Sequence, residues 1–120
     1  MSNIVLIRAI GAVLGVAALS CGSTSTPSSP AGPEVTVSNF QFTPSQLTVK
    51  AGETVTWHFT QGIHNVVSGP NCASDGKFTS GDPKAASYDY SNVFAAPGTY
   101  EYYCAPHCQS QGMKATIIVL

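Results

Sequence analysis

From Glu34 onward, apolar residues recur at every second position in short runs broken by glycine and proline, and this alternation restricts the chain more than any other feature. Val35 and Val37 alternate with Thr36 and Ser38, and Leu47 and Val49 follow the turn Thr43-Pro44-Ser45. After Ala51-Gly52-Glu53, another turn, Val55, Trp57 and Phe59 share one face. Tyr88 and Tyr90 follow, then Ala96-Pro97-Gly98 as a turn, then Tyr100 and Tyr102, and the chain closes with Ala115-Thr116-Ile117-Ile118-Val119-Leu120. Successive side chains of a strand point to opposite faces, so each run describes a strand with one face toward a core. Several such strands, closely spaced and punctuated by turn residues, predict an all-β antiparallel sandwich or barrel. No helical stripe is visible after Cys21. Residues 68–87 carry few large apolar side chains apart from Phe78, which predicts a long irregular connection.

The first 33 residues follow other rules. Residues 9–19 form an uninterrupted apolar stretch, too short to span a bilayer, which takes about 20 apolar residues. With Arg8 in front, it has the dimensions of an export-signal core. It ends Ala17-Ala18-Leu19-Ser20-Cys21-Gly22, which resembles a bacterial lipobox, although Leu19 stands one place later than usual. The resemblance implies cleavage before Cys21 and lipid attachment to its sulfur. The alternative is an ordinary cleaved signal that releases a soluble periplasmic protein. Residues 22–33, rich in Ser, Thr, Pro and Gly, read as a flexible linker. The expected organisation is a signal segment over residues 1–21, a linker over 22–33 and one domain over 34–120.

Charge excludes one class of function. Six acids, all in the expected linker and domain, face four lysines there, and no basic run appears. A nucleic-acid binder needs a basic footprint, and this chain has none.

Cysteines and histidines point to a metal. Besides Cys21, three cysteines remain, Cys72, Cys104 and Cys108, an odd number where exported thiols tend to pair. Cys104 is the best candidate to stay free, because it ends the strand Tyr100-Glu101-Tyr102-Tyr103 and Ala105-Pro106-His107 follows on one tight loop. His64 precedes the strand-like Asn65-Val66-Val67, and Met113 lies beyond His107. Two imidazoles, one thiolate and one thioether are the donor set of blue copper, with the thioether as a weak axial ligand. His58 is out of phase with Trp57 and Phe59 and is expected to face solvent. A zinc site of Cys72, Cys104, His107 and Cys108 is the chemical alternative. It ignores His64 and requires reduced thiols in an oxidising compartment.

At this point longer segments resemble a known family. Phe42-Thr43-Pro44-Ser45-Gln46-Leu47-Thr48-Val49-Lys50-Ala51-Gly52-Glu53-Thr54-Val55-Thr56-Trp57 resembles the opening strands of bacterial cupredoxins, and Ile63-His64-Asn65-Val66-Val67 resembles the strand of their first ligand. Pro97-Gly98-Thr99-Tyr100-Glu101-Tyr102-Tyr103-Cys104-Ala105-Pro106-His107 is similar to their ligand loop, with the plastocyanin gap between Cys and His. His107-Cys108-Gln109-Ser110-Gln111-Gly112-Met113-Lys114 is similar to a phytocyanin stretch. The resemblance implies a Greek-key β-sandwich, one copper held by His64, Cys104, His107 and axial Met113, and a disulfide between Cys72 and Cys108. Met113 falls six residues after His107, one more than usual in plastocyanins and phytocyanins. Gln111 looks inserted, the loop is expected to bulge, and Gln109 or Gln111 is an alternative axial donor. Ala105 replaces a hydroxyl residue that often follows the ligand cysteine. That replacement predicts the loss of a hydrogen bond to Asn65 that braces the two loops.

The function implied is outer-sphere, one-electron transfer by a monomeric, non-enzymatic protein of the bacterial cell envelope, anchored to membrane through Cys21. A redox partner protein is expected to dock near His107, on an apolar patch to which Gly62, Ile63, Gly69, Pro70 and Pro106 contribute. The alternative is copper storage or delivery, a role usually served by Met- and His-rich sites; this chain has two methionines including Met1.

Overall fold

The computed structural model describes residues 32–120. Chain order is β1 (Glu34–Ser38), β2 (Gln41–Thr43), β3 (Gln46–Val49), β4 (Thr54–Phe59), β5 (Ile63–His64), β6 (Val67–Ser68), β7 (Lys84–Ala85), β8 (Tyr88–Val93), β9 (Gly98–Tyr103), α1 (Cys108–Gln111) and β10 (Lys114–Val119). They build two four-stranded sheets, ordered β2-β1-β4-β8 and β3-β10-β9-β6, with β5 and β7 as a small ribbon.

The period-two pattern is the reason for this layering. Val35, Val37, Val55, Trp57 and Phe59 of the first sheet are buried, as are Tyr102, Ala115, Ile117 and Val119 of the second. Each fully buried large apolar side chain contributes about 1.5–3 kcal/mol. Trp57 sits at the centre, with the rings of Phe78, Tyr90, Phe94 and Tyr102 around it at 5.4–6.3 Å.

Two details depart from expectation. The sandwich is mixed: β1 runs parallel to β4, and β3 parallel to β10. After β2 the chain crosses to the second sheet for β3 and returns as β4 beside β1. Such a crossover places two strands side by side in one direction, which a hairpin cannot do. The segment over residues 68–87 is irregular but packed. Ser68 donates to Asp75 Oδ1 at 2.6 Å, Phe78 N donates to Ser68 Oγ at 2.8 Å, and Lys84–Ala85 pairs with Ile63–His64.

Register places the candidate ligands at one end. β4 runs from Thr54 to Phe59 and leads on to His64, β9 runs from Gly98 to Tyr103 and leads into Cys104, and β10 starts from Met113. Pro33, which leads into β1, lies at the other end, its carbonyl accepting from Thr56 N at 3.0 Å. Among the described residues, no helix is long and apolar enough to cross a membrane. The expected signal segment, Cys21 and the expected linker up to residue 31 lie outside the described residues.

Candidate metal centre

Three donor atoms converge at the end of the sandwich. His64 Nδ1 lies 3.1 Å from His107 Nδ1, and Cys104 Sγ lies 3.6 Å and 3.5 Å from those two nitrogens. A triangle of these sides has a centre about 2 Å from every corner, the bond length at which a transition metal sits from nitrogen. The donor set fits one metal ion. His64 and Cys104 are fully buried and His107 is partly exposed, so among the described residues the His107 side is the one open to water.

Each donor is held by backbone that the strands position. Cys104 follows β9 directly; its amide donates to Met113 O at 3.0 Å, and its carbonyl accepts from His107 N at 3.1 Å and Cys108 N at 2.8 Å. The loop therefore closes on itself before β10 begins. His64 belongs to β5, and its carbonyl accepts from Tyr88 Oη at 2.5 Å. Burial, followed by the neighbouring His107, holds the His64 imidazole below its usual pKa, so it stays neutral and free to donate a lone pair. Burial also raises the Cys104 thiol, against the amide hydrogen bonds of Asn65 and His107. A bound cation would release that proton.

Met113 is buried beside these donors, whereas Gln109 and Gln111 are exposed on α1. Burial favours the thioether over either amide as the fourth donor. The extra residue between His107 and Met113 makes a helical turn rather than a bulge: Gln111 N donates to His107 O, and Gly112 ends the turn at φ 63, ψ 30. Only a residue tolerant of left-handed backbone turns the chain back into β10 within one position.

Cys72 and Cys108 form a disulfide, as the resemblance implied, and Cys104 is the free cysteine among the described residues. The disulfide removes the four-ligand zinc alternative. Half-exposed His58 lies on the outer face of the first sheet between Glu34 and Asp89, away from the three donors.

The expected loss of the Asn65 brace is corrected. Asn65 is buried, its Oδ1 accepts from the backbone N–H of Ala105 at 2.8 Å, and its Nδ2 donates to Gly81 O at 2.9 Å. A main-chain donor makes the bond, so residue 105 needs no hydroxyl. The expected apolar rim is also redrawn. Ile63, Gly62 and Pro106 are exposed near His107, but Gly69 is buried under Ala73 and Asp75. Pro70 lies down the flank with it, beyond Ser68, in a small hollow shared with Cys72 and Glu101. Phe40, which sequence reasoning passed over, lies on the rim instead, its ring 4.9 Å from that of His107.

The fold and site define a small β-sandwich metalloprotein with a buried His-Cys-His centre. Comparison with known proteins agrees. Residues 33–120 match the family described as copper binding proteins of the plastocyanin/azurin family. Amicyanin-alpha of Methylorubrum extorquens is 35% identical over 124 aligned residues, covering 99% of both chains. Plastocyanin of Scenedesmus fuscus is 44% identical over 84 residues, covering 65% of this chain and 85% of its own. A solved structure of an oxidised amicyanin variant superposes with a TM-score of 0.62 at 27% identity, covering 74% of this chain and 82% of that one. The chain belongs to the copper-binding plastocyanin/azurin family, a cupredoxin, and its cofactor is copper.

Proposed function

We propose that this chain is a one-electron carrier, with His64 Nδ1, His107 Nδ1 and Cys104 Sγ holding a single copper and Met113 as the axial ligand. The observation that carries the reading is the triangle of donors already set about 2 Å from a common centre and closed off by the sandwich. Copper held by two imidazoles, a thiolate and a weak thioether supplies a one-electron couple. The residues do the rest. Strands β5, β9 and β10 keep the donors nearly fixed, so little rearrangement accompanies a change of charge. Cys104 and His64 are sealed from water, and His107 offers its partly exposed edge to a redox partner across Phe40, Ile63 and Pro106. No substrate is chemically altered in such a role.

Delivery of copper suits this geometry less well, because a buried thiolate on a loop tied to β9 and β10 is built to retain an ion, and a single site gives little capacity for storage. The test is to add Cu(II) to the chain and record visible and EPR spectra beside a Cys104→Ser variant. An intense thiolate-to-copper band, absent from the variant, supports the carrier. Copper bound without that band supports storage, and no copper uptake overturns both.

The linker over residues 22–33 and the lipobox-like run before Cys21 support placing the domain over residues 34–120 at the envelope on a lipid anchor. Intact-mass measurement of membrane-extracted protein checks this: the anchored form carries the lipid mass on Cys21, and Cys21→Ala abolishes it.

A further inference from the structure

The hairpin between β1 and β2 ends in a conformation that its sequence would not choose unaided. Ser38 pairs with Gln41, which leaves Asn39 and Phe40 as the two residues of the loop. Phe40 has φ 65, in the left-handed region that favours glycine and disfavours a bulky side chain. Core burial does not explain the choice, since Phe40 is 46% exposed. Its ring lies edge-on to the imidazole of His107, centroids 4.9 Å apart and planes at 74°, and reaches His64 at 6.4 Å and 89°. The same hairpin tip is seated closely on the His64 loop. A Cβ built on Gly62 would lie 2.7 Å from His64 Nε2 and closer still to Asn39 Oδ1, so a larger residue would displace these side chains, and at φ 76 the backbone itself favours glycine.

We infer that Phe40 is a positioning residue of the metal centre, held in an unfavourable backbone conformation so that its ring fixes the His107 imidazole against the other two donors. His107 is the donor in need of such support. It sits on a loop at the partly exposed side of the site, whereas His64 and Cys104 are enclosed by the core. Unfavourable backbone persists where the surroundings over-determine it, and it concentrates at functional sites. The inference rests on the copper reading for its consequence, retention of the ion, but the ring-on-ring contact belongs to the chain itself.

The test uses the full chain with Phe40→Gly and Phe40→Tyr, the first relieving the backbone and removing the ring, the second keeping both. In the metal-free protein, NMR relaxation should show the His107 ring losing order in Phe40→Gly and keeping it in Phe40→Tyr. The thermal midpoint of Phe40→Gly should change little, because glycine accepts φ 65 and that relief offsets the lost ring contact. In the copper-loaded protein, transfer of copper to a chelator should be faster in Phe40→Gly by up to about tenfold, the rate equivalent of one aromatic pair. Phe40→Tyr should stay within about twofold, a small fraction of that pair energy. Unchanged His107 order in Phe40→Gly, or Phe40→Tyr behaving like Phe40→Gly, overturns the inference. If the wild-type protein takes up no copper, the carrier reading fails, and the NMR comparison still decides the role of Phe40.

Discussion

The two ends of the sandwich share the same strands but are secured by different side-chain bonds. At the end where β4 begins, the side-chain hydrogen bonds of the turns are local. Glu53 accepts from the Lys50 amide at 2.7 Å, three residues away, and Tyr100 Oη donates to Ala96 O at 2.8 Å, four residues away. The long-range bonds of those turns are main chain to main chain, such as Gly52 N to Phe94 O, and the Thr56–Ser91 hydroxyl bond at 2.8 Å joins two neighbouring strands rather than two loops. At the metal end the side-chain bonds span the sequence. Tyr88 reaches back 24 residues to the His64 carbonyl, and Asn65 binds Gly81 and Ala105, 16 and 40 residues away. A local bond stabilises its own turn and little else. A bond between distant loops sets how those loops lie against each other, and here that sets the distance between donors. Damage at the metal end should therefore show in the site, and damage elsewhere should show in stability.

The largest break in that comparison is the disulfide. Cys72 and Cys108 are 36 residues apart, and Cys108 directly follows His107. The double replacement Cys72→Ser, Cys108→Ser should cost about 2–5 kcal/mol in denaturant unfolding. It should also loosen the loop that carries His107, and a loss of stability with unchanged copper spectra would show that the loop is held without it. Next comes Asn65→Ala, which strands the Ala105 amide and the Gly81 carbonyl. A cost of about 1–3 kcal/mol is expected, with the copper absorption shifted or broadened. An unchanged spectrum would mean that the strands alone set the donor spacing. At the opposite end Glu53→Ala removes one exposed hydrogen bond. It should cost about 0.5–1.5 kcal/mol by urea unfolding and leave the spectrum untouched.

The smallest expected effect lies between the ends. On the outer face, the His58 ring nitrogens face Asp89 of β8 at 2.8 Å and Glu34 of β1 at 3.3 Å. The hydrogen bond to Asp89 does most to raise its pKa above the ordinary 6.5, partly opposed by burial. A raised folded-state pKa means that the contribution is fully present below the unfolded value and disappears as pH rises through the folded one. The gap in thermal midpoint between wild type and His58→Gln should thus be widest below about pH 6.5 and shrink as the pH is raised above it. A gap that is constant with pH would show that protonation plays no part. The exposed position keeps the effect small.

Much of this molecule is legible in the chain. The alternation of Val55, Trp57 and Phe59 marks the core face of β4, because strand geometry converts a period of two directly into burial. The runs around His64, Cys104 and His107 announce a metal, because few donor sets combine one thiolate with two imidazoles. Phe40 was not legible. A lone phenylalanine near a strand end looks like any core residue, and no period or motif says that a two-residue loop will hold it left-handed. The Asn65 bond to Ala105 was misjudged for a related reason. Reasoning from side chains overlooks a backbone amide, which every residue but proline can supply. Gly69 and Pro70 were expected on the rim, but β6 carries them down the flank of the second sheet.

By itself, then, the sequence determined the β class, the residues that enter the core, the kinds of metal donor and the cofactor they favour. All of these depend on side-chain chemistry and on periods of a few residues. Tertiary structure decided the parallel pairing of β1 with β4, the spacing of the three donors, the seating of Phe40 on His107 and the bonds that Asn65 makes. Those are distances between segments tens of residues apart, and they take values only when two sheets close on one core.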